Sequence, residues 1–416
     1  MSDVVIVSAA RTPIGKFGGA LKSLTSVELG TIAAKAAIER AKISPKSVDQ
    51  AIFGNVLQAG SGQNVARQIA LSSGLDESSC AMTINEVCGS GLKAIRLAQS
   101  AICMGDAKVV VAGGTESMSN VPFYAQNVRF GGLRYGNSAL VDGLKKDGLC
   151  DAFTGKEMGV TAENVAAKFG ITRKQQDAFA LKSHQKAVFA QNNGDFDAEI
   201  APVQLLDGTV INRDEHPRAN TSIEKLSKLK TLFEADFDRC ETGGMRETSG
   251  MREGYSEEKH SPTVTAGNAS GINDGSAALV LMSKDYAIAH GIDYLAEIVG
   301  FAEGGISPDL MGYAPKHVME RMLKNTGYTV ENIDLFEINE AFAAQSIAVC
   351  QQLNINESKL NIRGGAIALG HPLGASGARI LTTLLYALRD NHMQNGVAAL
   401  CVGGGIGVSM QVRMRK

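Results

Sequence analysis

Two segments of this 416-residue chain read as one supersecondary unit used twice. "SGLKAIRLAQSAICMGDAKVVVAGG" begins at Ser90, and "SGARILTTLLYALRDNHMQNGVAALCVGGG" begins at Ser376. Each is Ser-Gly, an amphipathic helix, a short turn, a buried strand and a glycine-rich end. Two ordinary αβ units can look alike by chance, but the shared order of all five features predicts a duplicated α/β fold with halves related by a pseudo-twofold.

The rest of the chain agrees with strands alternating with helices. Strand-like runs occur at 4–9, 108–114, 276–282, 397–405 and 407–412, and helical patterns at 26–41, 62–73, 91–104, 157–169, 173–192, 315–325, 340–353 and 376–390. Residues 119–272 differ in texture, with two strong helices, few strand signals and a polar stretch at 234–262. The expected division is therefore an N-terminal half over 1–118 completed by about 273–293, a helix-and-loop insertion over 119–272, and a C-terminal half over 294–416.

The formal charge of −2 leaves no electrostatic footprint for nucleic acid or an anionic membrane. No apolar run reaches the ~18 residues of a spanning helix. "MSDVVIVSAA" lacks a basic leader and "VRMRK" carries no lipidation signal, so a cytoplasmic protein is expected. Seven scattered cysteines without a C-x-x-C pair argue for free thiols rather than a disulfide framework or a zinc site. None of the seven histidines forms H-E-x-x-H, so no catalytic metal is expected.

Three glycine-rich stretches carry the chemistry. In "NEVCGSGLKA" (85–94), Cys88 stands in a tight turn ahead of a helix. A buried structural thiol is the commonest fate of a cysteine, but strand, sharp turn, nucleophile and helix make a nucleophile elbow. The positive end of the helix favours thiolate there. "GSGLKA" also fits a dinucleotide loop, but the segment before it is a poor buried strand and no acidic residue stands about 20 positions on. "GGAIALGHPLGASGAR" (364–379) holds His371 in a rigid loop before a helix, which suits a general base better than a structural histidine. "CVGGGIG" (401–407) ends a buried strand with Cys401 and bare N–H groups that could form an oxyanion nest. "NEAFA" (339–343) reads by itself as a helix N-cap at Asn339.

Together with "RTPIGKFGG" (11–19), "GGTESMS" (113–119), "MGVTAENVA" (158–166), "TAGNASGINDGSAA" (265–278) and "MGYAP" (311–315), these stretches resemble the thiolase family over essentially the whole chain and in its order. Within it, the chain most resembles the short-chain biosynthetic type, the acetyl-CoA acetyltransferases. The resemblance implies a layered αβαβα core with an inserted helix and loop domain, usually in a homotetramer. The implied chemistry is reversible Claisen condensation of two acetyl-CoA to acetoacetyl-CoA and CoA, with CoA thioesters as substrates and no cofactor. Cys88 would then accept the acyl group, and His371 would take its proton and later help hold the thioester oxygen. Cys401 would remove the α-proton of the second acetyl-CoA. Asn339 would position a water in one oxyanion hole, and the N–H groups of Cys88 and Gly403 would form the other. Arg218, Ser270, Met158 and Met311 match positions lining the CoA and pantetheine channel.

Two departures stand out. Glu157 occupies a position where the short-chain type commonly has a histidine, close to the acyl pocket. Residues 234–262 add roughly 25 residues before "TVTAGN", read either as a surface excursion or as a lid at the CoA entrance. Two alternatives share the resemblance: a degradative 3-ketoacyl-CoA thiolase of broader chain length, and an inactive interaction subunit. A β-ketoacyl synthase would carry a second histidine in place of "NEAFA" and would lack the Cys401 motif.

Overall fold

The computed structural model describes residues 3–132, 135–233 and 261–415. Residues 234–260, which hold nearly all of the extra segment, lie outside them, so neither reading of that segment is tested. Nine strands form one path: β1 Val4–Arg11, β2 Gln50–Gly54, β3 Cys80–Ile84, β4 Val109–Ser117, β5 Asn273–Ser283, β6 Ala296–Gly305, β7 Leu335–Ile338, β8 Asn395–Val402 and β9 Ile406–Met414. Their order is β7-β8-β9-β6-β1-β5-β4-β2-β3, and the short strand Gly15–Lys16 pairs beside β5.

The duplication is written in this order. Outward from the centre, β1-β5-β4-β2 repeats as β6-β9-β8-β7, with two antiparallel pairings and then a parallel one in each half. The first half alone has a further edge strand, β3, parallel to β2. The halves meet through two residue pairs, Val5 with Glu297 and Ile6 with Ala296.

Period-two alternation sorts the side chains into layers. Val110, Ala112, Leu279, Leu281, Leu400 and Val402 face a central helical layer, made of α2 Ser90–Met104 and α7 Ser376–Asp390. Val109, Val111, Val280 and Met282 face outward onto α1 Ser26–Ala41. Val397, Ala399 and Phe336 face outward onto α5 Ala314–Thr326 and α6 Ala343–Gln352. The result is the αβαβα sandwich, with sheet on both sides of the repeated helices.

Those two helices meet at their Ser-Gly starts. A Cβ on Gly377 would lie 2.3 Å from Leu92 N, and one on Gly91 would lie 2.7 Å from Ala378 N. The contacts are reciprocal, so each glycine of the repeat makes room for the other half's backbone. The neighbours are main chain, which cannot swing aside as a flexible side chain could.

Between β4 and β5 the chain makes an excursion, carrying α3 Met158–Phe169 and α4 Arg173–Asn193 with two small ribbons. Arg11, fully buried at the end of β1, fastens it. Its guanidinium reaches Glu199 Oε1 at 2.6 Å and both Asp214 oxygens at 2.7 and 2.9 Å. Removing one partner of such a buried pair costs about 3–5 kcal/mol, because the other charge is left unpaired.

The sequence reading placed the helices well and missed β2, β3, β6 and β7. β3 is a half-exposed edge, β7 spans four residues, and β6 is broken up by glutamates and glycines, so none shows a clean apolar run. The expectation of free thiols holds at Cys80, Cys88, Cys350 and Cys401 but not at Cys150, which is disulfide-bonded. Spacing in sequence says nothing about which Cα atoms the fold brings into bonding range. Among the described residues, no helix is long and apolar enough to cross a membrane.

The helix-start contact generates a test. Gly377→Ala should lower stability by about 1–3 kcal/mol through overpacking, read by thermal or urea unfolding. Equal stability of Gly377→Ala and wild type would show that the helix starts are not held as tightly as drawn.

Candidate active site

Cys88 sits on a strained turn. Val87 before it has φ of 46°, a region in which a β-branched residue is rarely found. Ser90 holds that turn, since its Oγ donates to Val87 O at 2.7 Å and accepts from Glu86 N at 2.8 Å. The helix behind begins at Ser90 with Gly89 as N-cap. Around the thiol pack Val56, Leu57, Met118, Leu144 and Leu373. Burial among them pushes the Cys88 thiol up to about 11, and the Gly403 N–H that donates to it offsets this only in part. The thiolate expected from the helix N-terminus is therefore not the resting form, because desolvation outweighs the dipole.

Cys401 closes β8 beneath Cys88 and is buried with Met311, Ala341, Met158 and Phe342. Its Sγ donates to Gln345 Oε1 at 3.1 Å. Burial and the neighbouring Cys88 raise its proton affinity further. Beyond it Gly404 and Gly405 both have φ of 85°, which turns the chain so that the Gly403 N–H can face Cys88.

His371 is fixed from three sides. Its backbone N donates to Asn273 Oδ1 at 3.0 Å, and its Nδ1 lies 2.6 Å from Ser376 Oγ. That hydroxyl spends its hydrogen on Pro372 O at 2.9 Å, so Nδ1 carries the proton and donates to Ser376. The tautomer is inferred from this network. Nε2 is buried and has no hydrogen-bond partner among the described residues. Burial pushes the imidazole down to about 3, so it is neutral. Asn339 lies beside it, with Nδ2 3.4 Å from His371 Nδ1, its backbone N bonded to Ala399 O, and Oδ1 without a partner. These two polar atoms are free to bond a water or a reactant.

The structure thus sets Cys88 against Gly403 and Cys401 and places Asn339 beside His371, whose loop joins the Cys88 cluster through Leu373. Met158 and Met311 line the Cys401 side, and Ser270 joins it by donating its N–H to Ala341 O at 2.9 Å. Arg218 is exposed, close to the buried pair His184 and His216, and no described contact joins its side chain to this cluster. Glu157 caps α3 and pairs with Lys145 at 2.8 Å. Sequence reasoning missed Gln345, Ser376, Asn273 and Glu116. Only Ser376 left a signal, as the serine of the second Ser-Gly. Among the described residues, no group of three histidine, cysteine, aspartate or glutamate side chains could hold a metal ion.

The chain matches two family models, the thiolase N-terminal domain over residues 4–243 and 255–285, and the thiolase C-terminal domain over 292–414. The break at 244–254 is shorter than the insertion of roughly 25 residues read from the sequence. The chain is 47% identical to the acetyl-CoA acetyltransferase of Escherichia coli, covering 99% of each. Its structure is similar to the Bacillus anthracis acetyl-CoA acetyltransferase, with a TM-score of 0.91 and 40% identity over 100% of this chain and 99% of that one. It is equally similar to human mitochondrial 3-ketoacyl-CoA thiolase in complex with CoA, with a TM-score of 0.91 and 39% identity over 100% and 98% of the chains. By its sequence, its doubled sheet and its layered core, the chain belongs to the thiolase family.

Proposed function

We propose that this protein is an acetyl-CoA C-acetyltransferase, condensing two acetyl-CoA reversibly to acetoacetyl-CoA and CoA through an acyl group on Cys88. What supports the reading is the approach of the Cys88 and Cys401 thiols with the Gly403 N–H on Cys88, beside a buried imidazole that Asn339 adjoins. Full-length relatives named acetyl-CoA acetyltransferase support it.

The protonation states set the order of events. At rest the thiol and the imidazole are both neutral, so no ion pair has to be desolvated before substrate enters. Cys88 Sγ attacks the thioester carbon while its proton passes to His371 Nε2. The developing oxyanion lies against the N–H groups of Cys88 and Gly403. CoA leaves as thiolate and takes the proton from His371, and acetyl-Cys88 remains. A second acetyl-CoA enters with its thioester oxygen toward His371 and a water held by Asn339. Cys401 passes its thiol proton to His371, and the thiolate so formed removes the α-proton. The resulting enolate carbon bonds to the acetyl carbon on Cys88, and the expelled Cys88 thiolate takes the proton held on His371. A thioester exchanged for a thioester changes little in free energy, which suits an enzyme that runs in both directions.

Ser270, Met158 and Met311 would line the pantetheine arm, and Arg218 would meet the outer part of CoA at the surface. Self-association as a homotetramer in the cytoplasm belongs to the same reading. The exposed side chains of Phe123, Phe130 and Phe153 are apolar surface that association would cover.

A degradative 3-ketoacyl-CoA thiolase is the second reading, favoured by the Glu157–Lys145 pair where the short-chain type commonly has a histidine. Steady-state thiolysis across acyl chain lengths separates the two. The proposal expects acetoacetyl-CoA to be the best substrate, and a steep preference for longer acyl chains would replace it with the second reading.

Incubation with acetyl-CoA alone should leave one acetyl group on Cys88, seen by mass spectrometry of the digest. An unmodified Cys88 would remove it as the nucleophile. Cys401→Ala should keep that acetyl group and lose condensation by ~10²–10⁴-fold, the usual cost of deleting a general base. Condensation near the wild-type rate would rule out the Cys401 role.

A further inference from the structure

Glu116 is a fully buried carboxylate at the end of β4, and four donors from two separate loops converge on it. Asn55 Nδ2 and Leu57 N reach Oε1 at 2.7 and 3.1 Å, while Val56 N and Gly374 N reach Oε2 at 3.0 and 2.8 Å. Both loops wall the Cys88 pocket. Val56 and Leu57 from one loop, and Leu373 from the loop that carries His371, belong to the same buried cluster as Cys88.

We propose that Glu116 is a positioning residue for the acyl-accepting step, clamping the two walls of the Cys88 pocket and acting on the thiol through its charge. The inference rests on Cys88 as the acyl acceptor. Three of the four donors are backbone N–H groups, which fix the main chain of both walls whatever their side chains are. The negative charge faces Cys88 and disfavours a second one there. The other group facing Glu116 is the Asp274 carboxylate from β5, which accepts from Ser119 N and Oγ and is itself faced by Glu215. His371, three residues before Gly374, is uncharged and adds no compensating cation. Burial chiefly, and Asp274 in lesser part, push Glu116 up to about 7, so its charge changes in the working pH range.

The test is the pH profile of Cys88 alkylation by iodoacetamide, located by mass spectrometry, in wild type, Glu116→Gln and Glu116→Asp. Removing the charge in Glu116→Gln should move the profile to lower pH by a fraction of a unit, giving about two- to threefold faster alkylation at a fixed pH between about 8 and the midpoint. Glu116→Asp keeps the charge with a shorter reach. It should keep the wild-type profile yet slow Cys88 acetylation, with KM for CoA in thiolysis unchanged, because Ser270, Met158 and Met311 lie on the Cys401 side. An unshifted profile in Glu116→Gln overturns the proposal, and so does full-speed acetylation in Glu116→Asp. If neither variant folds, wild type alone decides. As Glu116 ionises, alkylation should rise less than tenfold per pH unit between about 6 and 8, and a strict tenfold rise throughout would contradict the coupling. Alkylation reads the thiol directly, so a shifted profile beside an unacetylated Cys88 would sink the acyl-acceptor reading and leave the charge coupling standing.

Discussion

The close approach of two helix starts is the constraint on which the rest depends. Gly91 and Gly377 let the main chains of α2 and α7 touch where any Cβ would collide with backbone. Cys88 lies three residues before Gly91, and His371 lies six before Gly377. Holding the helix starts together therefore draws the Cys88 turn and the His371 loop toward one another, although they lie 283 positions apart in the chain (371 − 88). The serine beside each glycine completes the work locally. Ser90 Oγ ties down the strained turn at Val87, and Ser376 Oγ ties down Pro372 and orients the imidazole.

Burial then decides the chemistry. Desolvation keeps Cys88 as a thiol and His371 as a neutral imidazole, against the pull of the helix dipole and of the Gly403 N–H. The thiol and the imidazole therefore carry no charge at rest, and beside them stand fixed donors and an unshared lone pair. The buried Glu116 belongs to the same design, since it is the one carboxylate that shapes both walls of the pocket and faces the thiol.

Much of this was legible in the chain. The repeat announced the halves, the helix at 26–41 was read to its observed ends, and the glycine-rich stretches pointed to Cys88, His371 and Cys401. Asn339 and Gly403 came from the family resemblance, and the fold brings both to the cluster. What stayed hidden is non-local. Glu116 reaches Gly374 across 258 positions, and Cys401 reaches Gln345 across 56, with no local pattern to mark either pair. The acidity of Cys88 was misread for the same reason, because a helix N-terminus is visible in sequence and the apolar walls around it are not. The edge strand β3 and the four-residue β7 escaped because pairing, and not an apolar run, makes them strands.

The central claim is that both halves of the duplication serve one substrate position, with Cys88 attacking it and the C-terminal half receiving its charge. A crystal structure of the wild-type protein flash-cooled after exposure to acetyl-CoA tests this most directly. The account predicts density for an acetyl group on Cys88 Sγ, with its carbonyl oxygen within hydrogen-bond distance of the N–H groups of Cys88 and Gly403. An acetyl group on Cys401, or a thioester oxygen turned away from Gly403, would contradict it.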